Sequence, residues 1–133
     1  MLRKSKLAGF TLIELMVVIL IVGVLAAASV PLMRSRIDRS KWTEANAVAG
    51  TIRTAVKVYF IETGNTVTGS LDNASVQQAL GIQSGDLTGS YFVASDYVID
   101  SVSSDGVAVI TATGSQTNAP SGSKTLAADG TWQ

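Results

Sequence analysis

The sequence of 133 residues contains no cysteine and no histidine. Without cysteine the chain has no disulfide framework, no thiolate metal site and no cysteine nucleophile. Without histidine it lacks the commonest catalytic base and metal ligand. No glycine-rich phosphate loop follows a predicted strand, and no nucleophile is paired with a base. We therefore predict that the protein is not an enzyme and holds no cofactor.

Charge is also scarce, since charged residues make up 15% of the chain, 10 of them basic and 10 acidic. Three basic residues lie in a short N-terminal leader, and without them 7 basic and 10 acidic side chains leave a net charge of −3. This balance gives no support for nucleic-acid binding through bulk charge. The remaining positive charge is concentrated just after a long apolar run, at Arg34, Arg36, Arg39 and Lys41.

Between Phe10 and Met33 the only charged side chain is Glu14. A run of about 20 apolar residues is long enough to cross a bilayer as a helix. A charge at the bilayer centre costs about 2.5–3.5 kcal/mol on insertion scales, and less near an end. A carboxylate at the start of such a helix therefore indicates a functional residue with a partner elsewhere.

These residues resemble the N-terminal pattern of the type IV pilin and pseudopilin family. The pattern is a short basic leader, Gly9, the motif Phe10-Thr11-Leu12-Ile13-Glu14, a long apolar helix and Pro31. The resemblance implies that prepilin peptidase cuts between Gly9 and Phe10 and that the new Phe10 amine is methylated. It also implies that Glu14 faces the cationic Phe10 amine of a neighbouring subunit in a growing filament. A buried charge pair is tolerable where either charge alone is not.

Three other interpretations of the apolar run compete with this one. Residues 1–28 could be a secretory signal cleaved after Ala26-Ala27-Ala28, but its apolar region would then begin with Glu14 and the run continues beyond the cleavage site. A plain single-pass anchor does not explain Glu14. Glu14 could also be an interfacial residue that reaches water without any function.

Two residues interrupt the apolar helix, Gly23 and Pro31. Proline inside a helix removes one backbone hydrogen bond and clashes one turn back, which predicts a kink. In pilins generally, the segment between such positions can lose its helical form on assembly. The resemblance makes residues 23–32 the corresponding segment, so a static kink and a melted segment both stay open. The absence of cysteine departs from many pilins, whose C-terminal loop is closed by a disulfide, and another device must hold that end.

Residues 34–63 form an amphipathic continuation of the same helix. Apolar side chains recur at three- and four-residue spacing, and Thr63-Gly64-Asn65 is a helix-ending sequence. The predicted stripe comprises Ile37, Ala45, Val48, Ile52, Ala55, Val56 and Tyr59.

The last part of the chain, residues 64–133, has the pattern of a small β domain. A short helix capped by Asp72 or Asn73 and ended by Gly81 precedes the strands. Asn73-Ala74-Ser75 also fits a glycosylation sequon, although capping accounts for the asparagine. The predicted strands are Tyr91–Val102, Val107–Thr113 and Lys124–Ala128, with a hairpin at residues 103–106, an exposed loop at 114–123 and Trp132 packing back.

Three aspartates lie close together in the sequence, at Asp96, Asp100 and Asp105. Their carboxylate oxygens could bind calcium. Some pseudopilins use calcium where pilins use a disulfide. The spacing fits no known calcium loop, and Asp105-Gly106 is explained as a turn. We therefore predict solvated loop acids and no metal site.

The predicted fold is α+β, a long N-terminal helix packed on about three antiparallel strands, because so few strands need another surface to cover them. The predicted organisation is a cleaved leader at 1–9, an apolar helix at 10–33, its amphipathic continuation at 34–63 and a β domain at 64–133. The resemblance implies a pilin, held in the inner membrane as a single-pass precursor and then polymerised with copies of itself into a surface filament.

Prepilin peptidase and the pilus assembly machinery are the partners that the resemblance implies. Two alternatives stay open. Within the family, the chain could be a pseudopilin of a type II secretion or DNA-uptake system. Outside it, the chain could be a membrane-anchored or secreted small β domain that acts as a binding module.

Overall fold

The structure is a computed structural model that describes residues 9–133. Except for Gly9, the predicted leader lies outside the described residues. The chain divides into two compact units, one ending at Arg36 and the other running from Ile37 to Gln133. The helices are α1 (Leu12–Thr63) and α2 (Ala74–Leu80), and the strands are β1 (Gly69–Ser70), β2 (Tyr97–Val102), β3 (Ala108–Thr113) and β4 (Ser123–Leu126). Short 3₁₀ turns occupy Ser84–Leu87 and Ala94–Asp96.

The first unit is the apolar part of α1. Every described residue up to Arg36 is exposed, and the helix runs through Gly23 and Pro31 without a break in its assignment. Among residues 9–133, α1 is the one helix that is long and apolar enough to cross a membrane.

The second unit is built around the C-terminal part of α1. Five side chains of α1 are buried, with the alternating spacing of three and four residues that places them on one face, namely Trp42, Ala45, Ala49, Ile52 and Val56. They share one core with Tyr97 and Ile99 of β2 and Ile110 of β3. The long helix thus covers the apolar face of the sheet, and the predicted α+β fold is confirmed.

The buried stripe differs in part from the predicted one. Ile37 is 48% exposed, whereas Trp42 and Ala49, which were not in the predicted stripe, are buried. Val48, Ala55 and Tyr59 are half-buried. The difference arises because the core begins only where the sheet covers the helix, so the apolar residue before it stays outside.

Both helix ends follow the sequence signals. α1 ends at Thr63, after which Gly64 adopts a φ of 70° and donates its N–H to the Phe60 carbonyl at 2.8 Å. The choice between two caps for α2 is settled in favour of Asn73, whose Oδ1 accepts the Ser75 N–H at 3.0 Å. Gly81 closes α2 with a φ of 64°.

The sheet is antiparallel, in the order β1-β2-β3-β4. It has four strands instead of about three, because the two-residue strand β1, which pairs with Val98 and Ile99, is too short to have an alternating pattern. Strand β2 begins at Tyr97 and not at Tyr91 as predicted. Its predicted first half instead contains a 3₁₀ turn, which the Asp96 carboxylate stabilises by accepting the Val93 N–H at 2.9 Å.

The predicted hairpin and C-terminal strand are present with small shifts. Ser103 donates its N–H to the Val107 carbonyl at 2.9 Å, which closes the turn between β2 and β3. β4 ends at Leu126, two residues before the predicted end. The chain then turns back, and Trp132 forms an isolated bridge with Leu126.

Candidate functional site

The start of α1 brings Thr11 and Glu14 together. Glu14 donates its N–H to the Thr11 Oγ1 at 3.3 Å, and the Glu14 Oε2 accepts the Thr11 N–H at 3.4 Å. This reciprocal pair is a capping box, which satisfies backbone donors that have no partner in the first helical turn. A carboxylate at this position also interacts favourably with the positive end of the helix dipole. Glu14 therefore has a local structural role, and its role in assembly remains a prediction.

The side chains around Glu14 are apolar and exposed. Phe10 is 87% exposed, Leu12 76% and Ile13 67%, and large apolar side chains continue exposed along the helix to Met33. A soluble monomer rarely leaves a continuous apolar surface of this length open to water. Within the described residues, the Glu14 carboxylate contacts only Thr11 by hydrogen bonds. A cation supplied from outside these residues would be its natural counter-charge.

The structure leaves free space at both predicted glycine sites. A Cβ atom added at Gly9 or at Gly23 would meet nothing within 4 Å. Neither glycine is therefore required for packing within the chain, and their proposed roles in cleavage and helix breaking remain predictions.

The three aspartates do not form a common site. Asp96 is buried, with 3% exposure, and accepts hydrogen bonds from the Val93 N–H and the Ser115 hydroxyl. The prediction of a solvated loop acid is therefore wrong for Asp96, because its side chain caps the turn that precedes β2. Asp100 is exposed and accepts the Thr111 hydroxyl at 2.6 Å. Among residues 9–133, no three acidic side chains converge on a possible metal position.

The sequence did not predict the role of Glu44, a half-buried carboxylate on α1. The Glu44 carboxylate accepts three consecutive backbone N–H groups, from Ser90 at 3.1 Å, Tyr91 at 2.9 Å and Phe92 at 3.1 Å. The chain approaches so closely there that a Cβ added at Gly89 would collide with the Glu44 carboxylate. Nothing in the local sequence indicates this contact, because the partners are more than 45 residues apart.

Arg53 holds the C-terminal end of the chain. It donates from Nε to the Ala108 carbonyl at 3.0 Å and from Nη2 to the Leu126 carbonyl at 2.9 Å, and Nη2 also contacts the Ala127 carbonyl. Partial burial lowers the pKa of Arg53, and the charge of Asp129 opposes this effect. The guanidinium still remains charged and joins α1 to the start of β3 and the end of β4.

The last strand and the C-terminus are further fixed by backbone pairing and aromatic packing. Thr125 and Gln133 exchange two backbone hydrogen bonds, at 2.9 and 3.0 Å. The Trp132 ring lies 6.1 Å from the Trp42 ring in an edge-on arrangement. Nearby, Lys41 donates to the Asn118 carbonyl at 2.7 Å. The loop and C-terminal residues are therefore anchored on α1 without any covalent bridge.

Comparison with known proteins adds to this geometry. The family described as "Prokaryotic N-terminal methylation motif" matches residues 4–30. Fimbrial protein EcpC of Eikenella corrodens is 39% identical over 130 residues, which cover 96% of this chain and 77% of the relative. Type IV major fimbrial protein FimA of Dichelobacter nodosus is 41% identical over 59 residues, 44% of this chain and 38% of FimA.

A secretion protein is similar over a shorter stretch. Type II secretion system core protein G of Pseudomonas aeruginosa is 42% identical over 60 residues, which cover 45% of this chain and 42% of that protein. The similarity to EcpC thus extends along nearly the whole chain. The similarities to FimA and to core protein G each cover less than half of this chain and less than half of the relative.

Proposed function

Because this chain belongs to the type IV pilin family, we propose that it is the structural subunit of a type IV pilus-like surface filament. The precursor is held in the cytoplasmic membrane by the apolar part of α1. After removal of the leader, the same helix packs with the helices of other copies in the filament. The observation that carries this proposal is the exposed apolar part of α1, with Glu14 as the one charged side chain between Phe10 and Met33.

The reason is that the apolar part of α1, up to Arg36, is exposed throughout the described residues. Its apolar residues are exposed, so they gain burial only in a bilayer or among other copies. The partners we propose are therefore the inner membrane before assembly and copies of the same chain afterwards, with prepilin peptidase and the assembly machinery acting between the two states.

A pseudopilin of a secretion system is the second candidate. The similarity to type II secretion system core protein G supports it. That similarity covers 45% of this chain, while the similarity to a fimbrial protein covers 96%. A match of 60 residues cannot include the whole of the unit Ile37–Gln133, whereas a match of 130 residues includes nearly all of it, which favours the pilus.

We propose that cleavage takes place between Gly9 and Phe10 and that the resulting Phe10 amine is methylated. The scissile bond must enter an enzyme cleft, where a bulky side chain at Gly9 would intrude. A Cβ there meets nothing within 4 Å in the subunit itself, so replacement by leucine tests processing without disturbing the fold. Full-length precursor should accumulate in the membrane. N-terminal sequencing of the wild type should give methylated Phe10, and a chain beginning at Ser29 would instead indicate a secreted domain.

We propose that Glu14 receives the Phe10 amine of a neighbouring copy during assembly. Thr11 already contacts the Glu14 carboxylate, and this holds the carboxylate at the end of the helix, near residue 10. An ammonium buried among apolar helices without a counter-charge costs about 3–5 kcal/mol. The pair therefore selects the depth at which an incoming subunit docks.

Glu14→Ala is the test of this proposal. Membrane insertion should not suffer, because a charge is removed from an apolar segment, and cleavage should continue four residues upstream. The expected result is processed protein in the membrane fraction with few or no sheared filaments. Thr11→Val is the matched control, because it removes the hydroxyl contact to Glu14 but keeps the carboxylate, and it should retain most filaments.

Mixed expression of Glu14→Ala with the wild type should partly restore incorporation of the variant, since some contacts then contain an intact carboxylate. Abundant filaments built from Glu14→Ala alone would show that the carboxylate does not receive the amine, and the interpretation of α1 as a plain anchor would gain support.

A further inference from the structure

A cationic notch lies on the globular unit between α1 and the C-terminal end. It has a volume of about 150 Å³ and is lined by Arg39, Trp42, Thr43, Asn46, Lys124 and Trp132. Two of these side chains are cations, two are aromatic, and no carboxylate lines the notch. Among the described residues, the Trp132 Nε1 is buried and has no hydrogen-bond partner.

The two cations of this notch have no counter-charge within the described chain. The one ion pair among residues 9–133 joins Lys41 and Asp38 at 3.9 Å. Neither Arg39 nor Lys124 donates a side-chain hydrogen bond within those residues, whereas Lys41, Arg53 and Lys57 all do. Since the chain's other side chains carry more negative than positive charge after the leader, a free pair of cations on one small surface favours an acidic partner.

The opposite end of the same unit carries the complementary charge. Glu62 is exposed in the last turn of α1, and that turn, which is fully described, has no basic side chain. The negative end of the helix dipole adds to the charge of Glu62. Asp105 is also exposed and lies at the same end of α1, where the cation Lys57 contacts its backbone carbonyl. Beside Glu62, Ile61 is 70% exposed, so an apolar side chain accompanies the acids.

We propose that the Arg39–Lys124 notch of one subunit receives the acidic end of α1, at Glu62, from a second copy of this chain in the filament. The inference rests on the proposed function. A filament grows through heterologous contacts, in which one surface meets a different surface of the next copy. Thr43 and Glu62 are 19 residues apart on α1, which places the two surfaces about 30 Å apart along the helix. The notch and the acidic end at Glu62 are two different surfaces of opposite charge, separated along the helix axis, so they can form such a heterologous contact.

The absence of cysteine from the chain permits a direct test by cross-linking. Asn46→Cys introduces a thiol in the notch, and Thr63→Cys introduces one beside Glu62 without removing its charge. After mild oxidation, intact filaments of the double variant should give a ladder of disulfide-linked oligomers. Filaments mixed from the two single variants should give dimers and no higher species.

Each single-cysteine variant is the matched control, because a head-to-tail contact does not bring a site next to its own copy. Filaments that form normally but give no ladder in the double variant would overturn the inference while leaving the proposed function intact. Dimers in a single variant would also overturn it, because they indicate a symmetric contact. If cells that express the wild-type chain form no filaments at all, that result would instead count against the proposed function.

Charge exchange provides an independent measurement. Lys124→Glu and Glu62→Lys should each lower the yield of sheared filaments by about fivefold at low salt, the scale of one surface ion pair. The double variant restores the opposite charges across the contact and should recover most of the yield. Thermal unfolding of each variant serves as the folding control. Filament yields that stay at the wild-type level in both single variants with intact folding would contradict the proposed contact.

Discussion

The Glu44 carboxylate on α1 accepts the backbone N–H of Tyr91 at 2.9 Å, across 47 residues of sequence. The same carboxylate also binds the N–H groups of Ser90 and Phe92. Directly after these amides, the Phe92 ring packs 5.2 Å from the Trp42 ring in the core. Glu44 therefore fixes an irregular segment, which no strand holds, at the point where it enters the core.

Glu44→Ala should destabilise the globular unit by about 2–4 kcal/mol, because three backbone donors lose a charged acceptor and two of them are partly buried. Glu44→Gln should cost less, since one amide oxygen can still accept the N–H groups of Tyr91 and Phe92. Thermal unfolding of the full-length protein in detergent gives both values. Equal unfolding of the alanine variant and the wild type would show that the contact contributes no stability.

The contact between Glu44 and Gly89 provides a second check on the same prediction. Gly89→Ala places a methyl group against the Glu44 carboxylate. In the otherwise wild-type protein, this change should lower the free energy of unfolding. In the Glu44→Ala background the obstacle is gone, so the added cost of Gly89→Ala should largely disappear. A double-mutant cycle measures this coupling, and additive effects would contradict it.

Arg53→Met should release the C-terminal end of the chain. The variant keeps the apolar stem but leaves the carbonyls of Ala108, Leu126 and Ala127 without their donor, at a cost of about 2–3 kcal/mol. Arg53→Lys should lose less, because an ammonium keeps the charge but cannot reproduce the forked contact. Limited trypsin digestion should release the peptide that follows Lys124 fastest from Arg53→Met, more slowly from Arg53→Lys and slowest from the wild type. An unchanged rate would show that the backbone pairing of Thr125 and Gln133 suffices to hold this end.

Tyr97→Phe should reveal an effect of alkaline pH on stability. Burial raises the pKa of Tyr97 above its usual value of 10.0, and the charges of Glu44 and Asp96 raise it further. Below pH 10 the phenol is neutral in both the folded and the unfolded chain. Above that pH only the unfolded chain loses the proton, so the stability of the wild type falls as the pH rises.

The Tyr97 hydroxyl is buried and has no hydrogen-bond partner among the described residues, so Tyr97→Phe should be neutral or stabilising by up to about 1 kcal/mol near pH 8. Its advantage over the wild type should grow between pH 9 and 11, as measured by urea unfolding. The two proteins differ only at this hydroxyl, so the difference between them isolates its contribution. If the stability difference between Tyr97→Phe and the wild type is constant from pH 9 to 11, the raised pKa of Tyr97 would be contradicted.

The features that could be predicted from the sequence are those set by neighbouring residues. The end of α1 at Gly64 and the cap of α2 at Asn73 depend on groups within four residues of each other. The apolar run of α1 is predictable for the same reason, because its composition alone decides its preference for an apolar environment. The capping partner of Glu14 lies three residues away, in a recognisable Thr-x-x-Glu pattern.

The features that could not be predicted depend on contacts distant in sequence. Glu44 and Arg53 appear as ordinary charges on the polar side of a helix, and only the fold places amides and carbonyls beside them. Asp96 belongs to this class in part, because one of the two hydrogen bonds that its carboxylate accepts comes from Val93, three residues away, and the other from Ser115, 19 residues away. Ile37 was predicted to be buried because it fits the helical spacing, yet it is exposed. The spacing gives the face of the helix but not the residue at which the sheet begins to cover it.

The final prediction concerns Gly23 and whether the helix unwinds on assembly. In the described subunit, α1 is continuous through residues 23–32, although Pro31 cannot donate a hydrogen bond to the Ala27 carbonyl. The segment therefore holds its helical form with one bond missing and with a glycine that favours unwinding. Gly23→Ala should strengthen the helix there by about 0.5–1 kcal/mol. A Cβ at this position meets nothing within 4 Å, so the change adds no clash within the subunit.

If the segment melts in the filament, backbone amides of residues 24–30 should exchange quickly with solvent in wild-type filaments and more slowly in Gly23→Ala filaments. Gly50→Ala is the matched control, because Gly50 also lies inside α1 with free space at its Cβ position but outside the segment. It should leave exchange at residues 24–30 unchanged. Slow exchange in the wild type, equal to that of Gly23→Ala, would mean that the helix persists on assembly and that Pro31 produces only a static kink.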